Sequence, residues 1–516
     1  MKIPSVLVFA TVILSICSIG AQDGIEMPGL YKGPPSMLGM AEGGMKASVS
    51  PYFLVKDVDV IGFEVDWGDG AKELVAMSAL PRIHEYKTSG RKEVNVKTKH
   101  KDGTLSEVQS GAVTANANGE ALATYAPAFP GAAGFGSETR GGRGGKLYEV
   151  TSLSGGSEKG TIRHALAAQG ARKVVFKVSG VIELGGKVLE VTNPYVTIDG
   201  SSAPGLGVVL KDAPLVISTH DVIVRHLKMR PGDGPNGVLG QYRNALQIIG
   251  HDDGKEVNDL SKDPYNIIVD HCSMSWSTDQ VASTWYGASH VTFSWNIFSE
   301  ALHDSIHNEG PHSTSFMYGP GSMNMSFHHN IIAHGGSRNP LVYINCSAEV
   351  ISNVIYNWKY VGTNLGGIRK SKGITRVNLI GNYYLPGVDT DPERLKKAFN
   401  VNTGWKNERV YVHDNSGLIN GAIKTDLDLG RFEIDTGKLE NTPALPSTNV
   451  EINKSSEILK ILTAKKGAGA QSKLVDPVDA RIKREVQSGT GKIIDSQKQR
   501  EGYAPYRKSA AWIFSR

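Results

Sequence analysis

Short segments in which Val and Ile alternate with polar residues recur along the second half of the chain. Three of them, at residues 266–280, 290–296 and 325–330, follow one another without a helix-length apolar stripe between them. Alternation with a period of two predicts strands that bury one face. The pattern therefore predicts a succession of short strands joined by loops of different lengths.

These segments also share a register along the chain. Alignment on their last polar or aromatic residues places His271, Trp295 and His329 in one column. Further members are Asp199, His226 and Asn353, in segments at residues 195–200, 222–227 and 350–354, with more segments at 377–382 and 410–415. A repeat of roughly 20 to 50 residues is typical of a solenoid, in which stacking buries apolar faces that one unit cannot bury alone. Because every unit is strand-like, the prediction is an all-β fold, a parallel β-helix.

Two pairs of residues within these segments are predicted to be structural. Arg225 and Asp270 occupy the same column in consecutive units, so we expect them to form an ion pair. Cys272 and Cys346 lie in strand-like stretches, and we expect two small buried side chains there rather than a disulfide.

The first 21 residues have the features of a secretory signal peptide. Lys2 is followed by an apolar run at residues 6–16 and by small residues up to Ala21. The run is too short for a membrane span, and no basic stop-transfer flank follows it. We therefore expect a secreted or periplasmic protein that does not insert into a membrane.

Residues 45–108 are predicted to form a small immunoglobulin-like β-sandwich. An alternating stretch at residues 63–67 runs into an Asp-Gly turn, and strand and turn signals follow at 84–86, 89–90 and 94–96. This arrangement resembles the PKD-type module found beside the catalytic domains of secreted polysaccharide-degrading enzymes. Residues 109–127 are predicted to be a linker, 128–440 the β-helix, and 441–516 a C-terminal extension that packs on it.

Length and charge limit the function classes. A chain of 516 residues is too long for one compact core, so several domains, or a solenoid with an appendage, are expected. The net charge of +5 and the pI near 8.8 permit an acidic ligand but are too weak to indicate nucleic acid. We expect a monomer that binds an acidic polysaccharide and binds neither nucleic acid nor membrane.

Ordered motifs between residues 128 and 503 resemble a known family. Thr161 is placed to cap a short helix that would cover the first coil. The other motifs lie at residues 128–136, 141–145, 148–151, 174–182, 197–200, 230–233, 269–273, 275–279 and 337–340. Together they are similar to the pectate lyases of the first polysaccharide lyase family. The resemblance implies a right-handed parallel β-helix that cleaves pectate, or a related uronate polymer, by β-elimination.

The resemblance also implies roles for particular residues. β-Elimination needs a base beside the C5 proton and a positive charge on the C6 carboxylate. Arg338 matches the catalytic Arg of the family, which implies an alkaline optimum. Calcium is the cofactor that the resemblance implies, with Asp279 matching one ligand and Asn244 standing at the place of another. At three positions where many members of the family carry an acid, a Lys and an Arg, this chain has Ser283, Thr314 and Tyr343. These differences leave few oxygen ligands for calcium.

Four further residues are predicted to contact the substrate. Arg230 and Arg243 follow strands, where loops would form the groove, and could form a basic track with Arg338 and Arg369. His307 and His312 lie in a loop near the predicted groove and could contact a carboxylate or a hydroxyl. Their spacing with His303 also leaves a zinc site open.

Two other functions remain open from the sequence alone. The replaced residues would also suit a β-helix that binds an acidic glycan without cleaving it. A glycoside hydrolase on the same scaffold would need a pair of carboxylates, for which Asp279 and Asp304 are candidates.

Overall fold

The computed structural model describes two compact units, Met1–Ala126 and Pro127–Arg516. The signal peptide predicted at residues 1–21 lies outside the residues that it describes. Those residues are 37–43, 46–52, 60–76, 82–115, 127–251, 262–366, 374–391, 399–401, 408–419, 422–424, 443–445 and 448–507.

The described residues of the N-terminal unit form two antiparallel sheets. One contains the strands Met37–Gly43, Lys46–Tyr52 and Arg82–Glu85, and the other contains Lys72–Ala76, Val60–Asp66, Gly90–His100 and Gln109–Ala115. Trp67 is fully buried, and its ring stacks on that of His84 with 4.9 Å between the centroids. The strand Gln109–Ala115 pairs within this unit, so the unit extends past residue 108 into the predicted linker.

The second unit is built from three sheets, A, B and C, to which successive coils contribute one strand each. Sheet A contains Lys146–Val150, Arg172–Phe176, Val196–Asp199, Val222–Arg225, Tyr265–Asp270, Ser289–Ser294, Met323–His328, Ser347–Ile351, Thr375–Ile380 and Glu408–His413. Sheet B contains Gly180–Glu183, Val208–Lys211, Lys228–Met229, Ser273–Ser275, Ile297–Ser299, Ile331–Ala333, Val354–Tyr356, Tyr383–Leu385, Ser416–Ile419 and Ala422–Lys424. Sheet C contains Leu189–Val191, Leu215–Ile217, Leu246–Ile249, Gln280–Trp285, Thr314–Tyr318, Leu341–Val342, Thr363–Leu365 and Phe399–Val401.

Neighbouring strands of these sheets are parallel, except for the final pair of sheet B, so the predicted parallel β-helix is confirmed. Apolar residues stack inside it because the strands of consecutive coils pair in register. In sheet A one such stack contains Val196, Val222, Ile267, Val291, Met325, Ala348, Val377 and Val410, all fully buried. Burial of each Val, Ile or Met side chain in this stack contributes about 1.5–3 kcal/mol.

The turn from sheet A to sheet B carries the predicted column of rings. The ring of Trp295 stacks between those of His271 and His329, at centroid distances of 5.6 and 4.5 Å. The predicted ion pair is also present, with Arg225 Nε 2.9 Å from Asp270 Oδ1.

Two members of the predicted column are one position out of register. Asp199 pairs with Arg225, and Asn353 pairs with Asn330 rather than with His329. Asn330 and Asn353 belong to a separate ladder of buried Asn side chains. Each side-chain oxygen accepts a hydrogen bond from the backbone N–H of the corresponding residue in the preceding coil. The members of the ladder are Asn296, Asn330, Asn353, Asn382 and Asn415.

The helices cover the open end and one side of the solenoid. In the helix Ile162–Ala167, Thr161 Oγ1 accepts the backbone N–H of His164, as predicted, and the apolar side packs on the first coils. The helices Ser455–Thr463 and Pro477–Ser488 pack on sheet B through an apolar cluster. In the described part of the chain, 3₁₀ turns lie at Gly200–Ser202, Gly240–Tyr242 and Gln497–Gln499.

Cys272 and Cys346 are both buried and form no disulfide, as the sequence predicts. Among the helices that the structure describes, none combines the length and apolar character needed to span a bilayer.

Candidate functional site

Three consecutive coils place charged and imidazole side chains at the N-terminal ends of their strands in sheet C. We call this side of the solenoid the edge of sheet C. Asp279 directly precedes the strand Gln280–Trp285, His312 lies just before Thr314–Tyr318, and Arg338 lies before Leu341–Val342. The backbone joins these coils, since Gln280 pairs with Thr314 and the N–H of Phe316 donates to the carbonyl of Arg338 at 2.7 Å. Adjacent strands lie about 4.8 Å apart. Residues far apart in sequence therefore line one edge of the solenoid.

Arg338 is partly buried at this edge. Burial lowers the pKa of its guanidinium from the ordinary value, while the charges of Asp279, Glu309 and Tyr343 act in the opposite direction. Within the described part of the chain, the guanidinium makes no hydrogen bond and no ion pair closer than 4 Å. Its donors therefore remain available to a ligand.

Asp279 faces two imidazole rings. Its Oδ1 lies 3.2 Å from His312 Nε2 and 4.0 Å from His307 Nε2. The two rings stack with 3.8 Å between their centroids and 7° between their planes. The structure thus places His307 and His312, both predicted from sequence, beside the predicted ligand Asp279.

The hydrogen bond at His307 determines where its proton lies. Its Nδ1 accepts the backbone N–H of Glu309 at 3.1 Å, so a neutral ring carries its proton on Nε2, the nitrogen that faces Asp279. Burial lowers the pKa of His307, as do the charges of His312 and Arg338, against the opposing charges of Asp279 and Glu309. The net effect favours the neutral ring relative to that of a free histidine.

Lys359 adds a cation one coil beyond Arg338. Its ammonium donates to His303 Nε2 at 2.8 Å and lies 5.6 Å from the centre of the Tyr360 ring. The N–H of Tyr360 donates to the carbonyl of Gly336 at 2.8 Å, which joins this segment to the coil of Arg338. Burial, followed by the charge of Lys359, lowers the pKa of His303. Lys359 cannot be recognised from the sequence, because only the pairing of coils brings it to this edge.

Exposed apolar side chains flank the site, two on the coil before that of Asp279 and one next to His307 in sequence. Leu239 is 67% exposed, Tyr242 63% and Ile306 44%. The 3₁₀ turn Gly240–Tyr242 packs closely on the loop of Ile306, and a Cβ on Gly240 would lie 2.0 Å from the Ile306 carbonyl oxygen. An exposed Tyr ring suits the apolar face of a sugar.

The structure corrects the prediction that Arg230 contacts substrate. Arg230 is fully buried, and its guanidinium donates to Asp476 at 3.1 and 3.3 Å and to Asp479 at 2.7 Å. Ser275 and Tyr506 accept further hydrogen bonds. Arg230 therefore attaches the C-terminal helix to sheet B and is inaccessible to a polymer.

Arg243 is likewise a structural residue rather than a substrate contact. Only 3% of it is exposed, and its guanidinium donates to the backbone carbonyls of Gly232, Gly234 and Val238. It holds the loop after the strand Lys228–Met229 in place. Arg369, the remaining member of the predicted basic track, lies outside the described residues.

Asn244, predicted as a metal ligand, is sealed inside the solenoid. It is fully buried, and its Oδ1 accepts the backbone N–H of Gln280 at 3.0 Å. The hydroxyl of Ser283 accepts the indole N–H of Trp285 at 3.1 Å, and that of Thr314 donates to the carbonyl of Asp279 at 3.0 Å. These three side-chain oxygens therefore form hydrogen bonds within the β-helix itself.

One group of side chains is compact enough to hold a metal ion. Among the described residues, ligand atoms of Asp279, His307 and His312 lie within 4.8 Å of one another. Calcium prefers six to eight oxygen ligands, mainly carboxylates and carbonyls. One carboxylate facing two imidazoles does not fit calcium. Asp304, the second carboxylate considered for a hydrolase, is exposed, and its backbone N–H donates to Asp495.

Two relatives identified by sequence share one family name. No family model matches the chain. The chain is 34% identical over 365 residues to "Probable pectate lyase C" of Aspergillus flavus, and the matched region covers 70% of this chain and 77% of that protein. It is 30% identical over 377 residues to the protein of the same name from Aspergillus terreus, covering 72% and 80%. The solved structure of the thermostable pectate lyase PL 47 superposes with a TM-score of 0.49 at 14% identity, over 67% of this chain and 99% of that one.

Proposed function

The chain belongs to the pectate lyase family, and from that membership we propose that it cleaves pectate, or a related uronate polymer, by β-elimination with Arg338 as the base. The observation that carries this proposal is the state of the Arg338 guanidinium. It is partly buried at the edge of sheet C, close to Asp279 and the two stacked imidazoles, and it makes no ion pair with a described residue.

The chemistry follows from that position. Burial lowers the pKa of Arg338, so more of the neutral guanidine is present at alkaline pH than for an exposed Arg. The neutral form removes the C5 proton, the C5–H electrons form a C4–C5 double bond, and the C4–O4 bond breaks. The departing O4 is then protonated. The new double bond is conjugated with the C6 carboxylate, so the unsaturated product absorbs ultraviolet light.

Calcium is implied by the family but does not fit the residues present. Because the space around Asp279 offers two imidazoles and no second buried carboxylate among the described residues, no step of the mechanism above uses a metal ion. The positive charge that the C6 carboxylate needs in the transition state must then come from the chain.

The first experiment incubates the full chain with polygalacturonate and follows the absorbance of the unsaturated product. We expect a rise in the wild type and a loss of about 10² to 10⁴ in kcat in Arg338→Lys, the range that a positioned general base contributes. Arg376→Lys is the matched control, since Arg376 is also partly buried but lies on sheet A. Reducing ends without absorbance would indicate a hydrolase, and binding without either signal would indicate a glycan-binding protein.

The other parts of the chain suit an extracellular role. Residues 1–21 would direct secretion, and the N-terminal unit would be a PKD-type module, which the alternating pattern around the buried Trp67 supports. Mass spectrometry of the exported protein tests the first point, since the mature N-terminus should follow Ala21.

A further inference from the structure

We propose that nitrogen donors of the chain itself, the imidazoles beside Asp279 and the ammonium of Lys359, hold the carboxylates of the substrate, so that cleavage needs neither calcium nor another divalent cation. This inference rests on the proposed function and concerns the same site. It differs from the expectation that the family raises, which is a calcium ion held by carboxylates.

The first support is the type of ligand atom around Asp279. A calcium ion there would meet one carboxylate, whereas it prefers six to eight oxygens. Asn244 and Ser283, at the positions where further acids are expected, direct their oxygens to the Gln280 backbone and the Trp285 indole. Too few oxygens remain to surround calcium.

The second support excludes a metal that prefers nitrogen, such as zinc. Zinc needs three or four ligand atoms, and a histidine ligand must present an unprotonated nitrogen. The nitrogen of His307 that faces Asp279 carries the proton in the neutral ring, because Nδ1 already accepts the N–H of Glu309. Only His312 and Asp279 would then remain as ligands. The N–H of His307 is instead suited to donate to a carboxylate oxygen.

The third support is the charge at Lys359. Among the described residues its ammonium has no carboxylate within ion-pair distance, and its hydrogen bond goes to a neutral imidazole acceptor, His303. The carboxylates of Asp304, Asp389 and Asp495 act on His303 from further away. Lys359 therefore keeps N–H donors for an anionic ligand. Its place one coil from Arg338 would position it along a polymer that crosses the coils.

The decisive experiment compares the wild type after removal of metals by EDTA with the same protein in calcium chloride and in zinc chloride. We expect product absorbance at rates within twofold in EDTA and in calcium, no saturable heat of calcium or zinc binding in calorimetry, and an unchanged melting temperature. Product in calcium alone, or saturable binding of either ion, would overturn the inference while leaving the lyase function in place. No product in any of these buffers would instead reject the proposed function, and the inference with it.

A second experiment tests the lysine. Lys359→Met should raise KM for polygalacturonate roughly tenfold, since a hydrogen bond to a charged group contributes that order of affinity, and should change kcat less. Lys359→Arg should restore most of the affinity. Lys177→Met, an exposed lysine with a surface ion pair to Glu149, is the control. An unchanged KM in folded Lys359→Met would reject this residue as a contact, and the metal titrations remain as the test if that variant does not fold.

Discussion

Replacing Arg230 by Met should destabilise the protein without weakening its affinity for substrate. The substitution keeps the aliphatic stem and removes a guanidinium that bonds to Asp476, Asp479, Ser275 and Tyr506. Both carboxylates stay buried, and Lys228, whose Nζ lies 3.9 Å from Asp476 Oδ2, is the other cation facing Asp476 in the described structure. Removing one partner of such a buried ion pair costs about 3–5 kcal/mol.

That free energy translates into a modest change in melting temperature. With an unfolding entropy of about 2.1 cal/mol/K per residue, cooperative melting of the second unit gives a decrease of about 4–6 °C. Circular dichroism measures the melting, and limited proteolysis should show earlier cleavage around Pro477–Ser488, because that helix loses its attachment. The Arg507 side chain is 64% exposed in its ion pair with Glu183. Because an exposed ion pair contributes little to stability, Arg507→Met should change neither result.

The pH dependence of this loss has a definite sign. Burial opposes ionisation of Asp476, but the charges of Arg230 and Lys228 leave its pKa below the ordinary value. A depressed carboxyl pKa contributes stability that is present above the unfolded pKa, near 4, and is lost as the pH falls through the folded pKa. The difference between the wild type and Arg230→Met should therefore be full above pH 4 and shrink only as the pH falls below 4. An unchanged melting temperature combined with a tenfold rise in KM would refute this reasoning and restore Arg230 to the groove.

Three further predictions concern the base, a buried histidine and the carboxamide ladder. If Arg338 is the base, the rate of product formation should rise with pH above 7, close to tenfold per unit below its pKa; a flat profile would contradict that role. Burial, with the charges of Arg225 and His271, lowers the pKa of His226 to about 4. The ring takes up a proton near pH 6.5 in the unfolded chain but only near pH 4 in the folded chain. The free energy of unfolding that depends on the neutral ring should therefore be full above pH 6.5 and fall by up to about 3 kcal/mol by pH 4. Denaturant midpoints at pH 7 and 5 should converge in His226→Gln, and an equal acid loss in the variant would reject the assignment. Asn353→Ala removes the acceptor of the buried Asn330 N–H and should cost about 2–4 kcal/mol in urea unfolding, with an unchanged midpoint as the opposing result.

Much of the scaffold can be predicted from the sequence because its signals are local. Period-two alternation identifies the strands, and the repeat of similar segments indicates stacked coils. Thr161 caps its helix through an atom three residues away. The ring column of His271, Trp295 and His329 follows from alignment of the segment ends, whereas Asn353 lies one position away, since local alignment cannot resolve adjacent columns.

The partners of the charged residues depend on contacts that no local pattern contains. Arg230 and Arg338 both occupy loops after or before strands, yet one is enclosed by the C-terminal helix and the other remains at the edge of sheet C. Lys359 enters the site because its coil stacks directly on that of Arg338. The sequence by itself determined the strands, the coil stacking and the candidate base. Only the tertiary structure decided which cations remain at the edge of sheet C, because loops of unequal length and a distant C-terminal segment determine what covers each side chain.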